Sequence, residues 1–360
     1  MTADTVGGVW TYALELIRAL ALFGAEVHLA TMGGELQECQ QQEADQLPNL
    51  TLYPSSFKLE WMDSPWEDLQ EAEAWLLQLN EIVEPDLVHL NTLAFADLAW
   101  GKPVVQVVHS CVLSWWKAVK KEEAPASWDR YKAVVTESLQ AADLVVAPTH
   151  AMLGEARELY GPFQQEKVVY NGRNPRDFQA GNKEPFVFSM GRVWDEAKSL
   201  AVLAEVAAQL SWPVYIAGEA VHPDTGQPVQ LPNVHFLGRL PPAEVKDWLA
   251  KASIFALPAR YEPFGLAILE AAMSGCALVI GNTESLREVW GSAAHYVPPD
   301  APDQVQAALE NLIADEFGRN SLACRATRQS QSYTSGRMAR EYLRLYGEAS
   351  SLKLQAASMG

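Results

Sequence analysis

The chain has 360 residues, a formal net charge of −18, 49% hydrophobic side chains and 20% charged ones. That length exceeds one ordinary core and fits two globular domains of roughly 150–180 residues each. The acidic balance excludes broad nucleic-acid binding and simple attraction to an anionic membrane surface.

At the start, only Met1–Val6 precede a Gly7-Gly8 pair, and Thr2-Ala3-Asp4-Thr5 is a poor strand by composition. The first domain is therefore expected to lack its opening strand or to carry it truncated. Val9, Tyr12, Ala13, Leu16, Ile17 and Leu20 then form an apolar helical stripe, and Gly24 suits the residue after its end. Short apolar runs follow at Glu26–Thr31, Leu50–Tyr53, Asp86–Leu90, Pro103–Val108, Asp143–Ala147 and Lys167–Tyr170, with helix candidates between them. Between the second and third of these, Ser55–Leu79 reads as an insert packed by Trp61, Trp66 and Trp75, and able to shape an acceptor side.

The stretch 171–185 is polar, carries Gly172, Pro175, Gly181 and Pro185, and reads as a linker. The second half repeats the alternation, with strand candidates at Phe186–Met190, Pro213–Ala217, Asn233–Leu237, Ser253–Leu257, Ala277–Ile280 and Ala294–Val297. A last helix is expected over Ser335–Glu348. Buried apolar strands alternating with helices predict an α/β protein of two doubly wound, Rossmann-like domains. The expected divisions are 1–170, the linker 171–185, 186–334, and a closing segment 335–349.

The densest constellation is Glu262-Pro263-Phe264-Gly265-Leu266-Ala267-Ile268-Leu269-Glu270, after the strand Ser253–Leu257 and at the start of a helix expected to end at Gly275. Pro263 suits a first helical turn. The amides around Phe264, Gly265 and Leu266 would then face a diphosphate at the helix N-terminus. Glu262 can accept from sugar hydroxyls there, and Glu270, one turn deeper, can hold a ribose. The plainer reading, a helix cap with one solvated Glu, carries about equal weight without context.

Context comes from Gly191-Arg192 and Lys198, after the strand Phe186–Met190, at the carboxyl edge where open sheets bind ligands. Arg holds phosphate bidentately and Lys adds a compact positive charge, so the two can neutralise a leaving diphosphate. Alone, such a pair is more often two surface cations. No Asp-x-Asp pair occurs in the chain, and Cys39, Cys111, Cys276 and Cys324 have no metal-ligand spacing. No metal site is expected, and free thiols fit a reducing cytoplasmic compartment. No signal peptide opens the sequence, and no apolar run reaches the ~18 residues that span a bilayer.

In the first half, His109 ends the strand Pro103–Val108 and can orient an acceptor hydroxyl or a sugar 6-hydroxyl; a satisfied core histidine is the competing reading. His89 and Asn91 end the neighbouring strand and are weaker candidates, and His28 reads as structural. Trp115-Trp116 follow His109, with Lys117, Lys120 and Lys121 behind. Trp faces stack on sugars, and a loop with exposed Trp is able to touch a membrane interface, although nothing else indicates one. Simple packing is the plainer reading, favoured for Trp116.

The ordered set of Gly7-Gly8-Val9, His109, Asn171-Gly172, Gly191-Arg192, Lys198 and Glu262–Glu270 resembles glycosyltransferase family 4, and the resemblance covers nearly the whole chain. It implies a GT-B fold, two Rossmann-like domains facing a central cleft, and retaining, metal-independent transfer of a hexose. The donor implied is a nucleotide diphosphate sugar, UDP-glucose or GDP-mannose first, used as co-substrate with no other cofactor. The acceptor is a small molecule, a polysaccharide or a lipid-linked sugar.

By the same resemblance, Gly7 and Gly8 line the diphosphate site and Arg192 and Lys198 bind its phosphates. Glu262 contacts the donor sugar with the Phe264–Leu266 backbone, and Glu270 holds the ribose. Gly238, in Phe236-Leu237-Gly238-Arg239, lies against the base, and His109 contacts the transferred sugar. The closing helix crosses back to the first domain. The leaving diphosphate itself takes the acceptor proton, so no side-chain nucleophile is needed. Three departures stand out: the missing first strand, Asn174 where an Asp is common, and no Lys before Gly7-Gly8.

Two other readings stay open: a sugar-nucleotide 2-epimerase on the same fold, and a non-catalytic or impaired nucleotide-sugar binder, for which the missing strand is the argument. A nicotinamide dehydrogenase is disfavoured, because Gly7-Gly8 is not a Gly-x-Gly-x-x-Gly fingerprint after a strand.

Overall fold

A computed structural model describes residues 1–221 and 226–359. The chain forms two compact units: one of Met1–Lys117, Glu122–Gly172 and Ser335–Gly360, the other of Ala118–Lys121 and Arg173–Thr334.

In the first unit the strands are β1 (Thr2–Asp4), β2 (Val27–Met32), β3 (Leu50–Pro54), β4 (Val88–Leu90), β5 (Val104–Val107), β6 (Leu144–Ala147) and β7 (Glu166–Val168). They make two parallel ladders, β1-β2-β3 and β4-β5-β6-β7. The backbone N–H of Asn91 donates to Thr2 Oγ1 at 2.9 Å, and its side-chain Nδ2 donates to the Thr2 carbonyl at 2.7 Å, so β1 lies beside the end of β4. The chain thus switches direction between β1 and β4, where an open α/β sheet places its ligands. Helices α1 (Gly8–Leu20), α2 (Glu38–Asp45), α3 (Trp66–Val83), α4 (Val112–Lys120), α5 (Asp129–Ala141) and α6 (His150–Tyr160) connect the strands.

The opening strand is therefore present, which corrects the expectation that it was missing. It spans three residues, all buried. Composition failed because no intrinsic preference of Thr-Ala-Asp makes this strand; ladder bonds to β2 and the Asn91 contacts do.

The second unit is one six-stranded parallel sheet of β8 (Glu184–Met190), β9 (Val214–Ala217), β10 (His235–Gly238), β11 (Ala252–Leu257), β12 (Ala277–Gly281) and β13 (His295–Val297). Their order is β10-β9-β8-β11-β12-β13, the doubly wound arrangement with its switch point between β8 and β11. The helices are α7 (Leu200–Ala207), α8 (Pro242–Lys251), α9 (Leu266–Met273), α10 (Glu284–Trp290), α11 (Pro302–Ala314) and α12 (Glu316–Ser330). Every residue of β11 and β12 is buried, which explains their near-continuous apolar runs.

The stretch 171–185 is not a free linker. Arg173 pairs with Thr334 in a parallel bridge, Phe178 is buried, Gly181 N–H donates to the Ala250 carbonyl at 3.0 Å, and β8 begins at Glu184. Its polar composition hid these contacts because backbone atoms make most of them. The final helix α13 (Ser335–Met359) packs on α1 in the first unit, with Met338, Ala339, Tyr342 and Leu345 buried. Among the described residues, no helix is long and apolar enough to cross a membrane.

Candidate active site

In the second unit the loops after β8 and β11 meet at the switch point. Lys198 Nζ lies 2.6 Å from Glu262 Oε2, and both side chains are largely buried. A Cβ built on Gly191 would touch the Lys198 stem at 3.5 Å, so the residue after β8 lies against this pair. Arg192 donates to Asp195 at 2.7 Å and lies over Trp194. Asp195, buried, also accepts from Ala197 N–H at 3.0 Å and so folds the turn that presents Lys198.

The β11 loop is tied to that turn. Arg260 N–H donates to the Ala197 carbonyl at 2.8 Å, and the Arg260 guanidinium reaches the Glu196 carbonyl at 3.2 Å and Asp300 at 2.7 Å. Ser285 donates to the Glu262 carbonyl at 2.7 Å. The structure thus brings Gly191, Lys198 and Glu262 together, with Arg192 on the same loop.

The helix beside them starts later than its sequence suggests. Gly265, in the left-handed region at φ 88°, is the cap, and α9 opens at Leu266. Pro263 is therefore outside the helix. The amides without an intrahelical partner are those of Leu266, Ala267 and Ile268, because Leu269 N–H already donates to Gly265. The Phe264 side chain is buried edge-on against Tyr333 at 5.6 Å, a packing role. Glu270 is buried on α9 with its carboxylate 2.9 Å from Arg173 Nε.

Gly238 ends β10 at φ 69°, and its carbonyl accepts from Gly218 N–H at 2.8 Å. Gly218 is a residue the sequence reading missed. It follows β9 directly at φ 146°, and a Cβ there would sit 1.8 Å from the Gly191 carbonyl oxygen. A glycine immediately after the strand Pro213–Ala217 was the available signal. Arg173 and Arg260 were missed as well, because their partners are distant in sequence or are backbone atoms, and Asp195 was missed although its spacing of three from Arg192 was a visible signal.

In the first unit, Gly7 caps α1 at φ 106°, and Gly8 has open space where a Cβ would lie, so backbone there is accessible to a ligand. His109 Nε2 is 2.8 Å from Asn91 Oδ1, His89 Nε2 is 3.1 Å from the same oxygen, and His89 Nδ1 is 2.7 Å from the Tyr346 hydroxyl. Tyr12 stands edge-on to the His109 ring at 4.4 Å. Trp115 and Trp116 lie on α4, both half-buried and packed edge-to-face at 5.9 Å, which replaces the exposed loop with a helix and agrees with the packing favoured for Trp116. Their helical spacing was masked by the neighbouring lysines.

Burial lowers both histidines from the ordinary 6.5 to about 3. Both are neutral at pH 7. An unfolded chain binds protons at these positions below pH 6.5, whereas the folded chain does not until pH 3. The contribution of these two histidines is therefore fully present above pH 6.5 and is lost as pH drops toward 3. Each histidine tilts the curve by at most about 1.4 kcal/mol per pH unit. Urea unfolding between pH 7.5 and 4 should show this decline, with a shallower slope for His109→Gln. A flat profile would contradict neutral burial.

Known proteins resemble this chain along most of its length. Residues 6–177 match the model of Glycosyltransferase Family 4, and residues 184–315 that of Glycosyl transferases group 1. An uncharacterised glycosyltransferase of Methanocaldococcus jannaschii is 22% identical over 95% of this chain and 94% of its own length. Sucrose-phosphate synthase from Thermosynechococcus elongatus superposes with a TM-score of 0.80 at 17% identity, covering 98% of this chain and 94% of that one. HepE of Anabaena, solved with UDP-glucose, gives 0.75 at 17% identity over 96% and 98%. The two family matches span most of the sequence between them, and the chain belongs to the GT-B glycosyltransferases of family 4 and group 1, enzymes that transfer a sugar from a nucleotide sugar.

Proposed function

We propose that this protein is a retaining, metal-independent hexosyltransferase that takes a hexose from a UDP or GDP donor and passes it to an acceptor hydroxyl. The observation that carries the reading is the Lys198–Glu262 pair at the β8/β11 switch point, beside the N-terminus of α9. The cation and the carboxylate hold each other. A bound diphosphate competes for Lys198 and frees Glu262 to accept from sugar hydroxyls. Arg192, held by Asp195, adds the second cation, and the first amides of α9 add a helix-end partial charge. Glu270, oriented by Arg173, is assigned the ribose, and Gly238 the base side.

These cations stabilise charge that develops on the diphosphate as the bond from sugar C1 to its oxygen breaks. The acceptor oxygen bonds to C1 on the same face, and its proton passes to the departing phosphate oxygen. The carboxylates of Asp195 and Glu270 are engaged by Arg192 and Arg173, which favours this course over double displacement. Among the described residues, no group of three or more His, Cys, Asp or Glu side chains is placed to hold a metal ion. In the first unit, His109 is assigned to a sugar hydroxyl, Gly8 to a phosphate, and Trp115 and Trp116 to the acceptor side; Asn91, buried with its amide held by Thr2, His89 and His109, stands behind His109 and not on the acceptor side. An impaired enzyme is not favoured, since β1 is present.

Incubation with UDP-glucose and GDP-mannose, with and without EDTA, tests the proposal. Release of UDP or GDP, EDTA resistance and an α-linked product by NMR are expected. Complete loss of turnover in EDTA, or an inverted product, would overturn it.

A further inference from the structure

The hydrogen-bond chain in the first unit sets the tautomer of His109. Asn91 has two distinguishable ends, and its environment distinguishes them. Its Nδ2 lies 2.7 Å from the Thr2 carbonyl, a group that only accepts, so the amide nitrogen must face β1. Asn91 N–H is held by Thr2 Oγ1 at 2.9 Å, which fixes the residue from the other side. Asn91 Oδ1 is thereby turned toward both histidine rings, at 2.8 Å from His109 Nε2 and 3.1 Å from His89 Nε2. That oxygen only accepts, so each of these ring nitrogens must carry a hydrogen.

His89 then has its lone pair at Nδ1, where Tyr346 of α13 donates its hydroxyl at 2.7 Å. Every donor in the run from Tyr346 to Thr2 meets an acceptor in one arrangement. Reversing the Asn91 amide would set its oxygen against the Thr2 carbonyl. Burial keeps both rings neutral, so each has one donor and one acceptor nitrogen.

We infer that Asn91, pinned by Thr2, is a positioning residue that holds His109 as the Nε2–H tautomer, so that His109 meets its ligand as a hydrogen-bond acceptor at Nδ1. A hydroxyl that donates to this nitrogen is favoured, and a ligand carbonyl or carboxylate at the same place is disfavoured because two acceptors would oppose each other. The inference rests on the proposed role of His109 toward a sugar hydroxyl. It extends that role by fixing the direction of the hydrogen bond and by placing Thr2, Asn91, His89 and Tyr346 behind it.

The test is a two-bond 1H–15N correlation spectrum of the full chain labelled at histidine, at pH 7 without ligand, with His109 assigned by the loss of its signals in His109→Gln. A single Nε2–H pattern is expected for His109. An Nδ1–H pattern, or an averaged one, would overturn the inference. In Asn91→Leu the acceptor facing both rings is gone, and a mixed tautomer is expected; an unchanged pure Nε2–H pattern would also overturn it. Asn91→Asp keeps an acceptor facing the rings, and its second oxygen, opposed to the Thr2 carbonyl, should hold a proton; the Nε2–H pattern should then persist. These spectra need no turnover. An enzyme with the expected tautomer but no transferase activity would sink the functional proposal and leave this one standing.

Discussion

Replacing Lys198 with alanine is expected to lower turnover on the preferred nucleotide sugar by about 10²–10³-fold, the scale seen when one preorganised stabiliser of developing charge is removed. The loss should fall mainly on kcat, because Lys198 is satisfied by Glu262 before donor binds and gains most as the diphosphate leaves. Alanine also strands the Glu262 carboxylate, largely buried, without its 2.6 Å partner. Glu262→Ala is expected to be similarly severe, and Arg192→Ala severe too. The double variant Lys198→Ala/Glu262→Ala should lose much less than the product of the two single losses, since the pair acts as one unit. Steady-state kinetics with circular dichroism as a folding control decide the matter. Full activity in all three single variants would remove the site assignment.

The second large effect is expected at Gly218. A methyl there would lie 1.8 Å from the Gly191 carbonyl oxygen, in a backbone conformation at φ 146° that side chains rarely adopt. Backbone cannot rotate away as a side chain can, so the loops after β8 and β9 must separate. Gly218→Ala should cost about 3 kcal/mol, the upper part of the range for overpacking. That corresponds to a fall of about 10 °C in melting temperature. Because Gly191 is the residue displaced, donor binding should weaken at temperatures where the variant is still folded. Calorimetry and donor titration measure both, and an unchanged melting temperature would show that the close approach is not rigid.

Much of the fold was legible in the sequence, and the exceptions share a cause. Runs such as Ser253–Leu257 and Ala277–Ile280 became β11 and β12 because a strand covered on both faces must be apolar throughout. Thr2–Asp4 has no such pattern; its ladder and Asn91 make it a strand, and neither is written in three residues. The helix after Pro263 began three residues later because Gly265 takes a positive φ that no helix interior contains, and sequence shows only that a glycine permits this. Of the site, the residue types at the strand ends were visible: Gly191, Lys198 and Glu262 follow apolar runs. Their supports were not. Asp195 reaches Arg192 within one turn of chain, but Arg173 reaches Glu270 across 97 positions, a pairing that only folding reveals.

The bridge between Arg173 and Thr334 has a topological consequence. The polypeptide enters and leaves the second unit at adjacent points, with Arg173 N–H donating to the Tyr333 carbonyl at the crossing. Apart from the short stretch Ala118–Lys121, that unit is an uninterrupted guest sequence spliced into a host whose own chain resumes at Ser335. Such a guest can be exchanged as a cassette through one pair of neighbouring junctions while the host keeps α13, Asn91 and His109 intact.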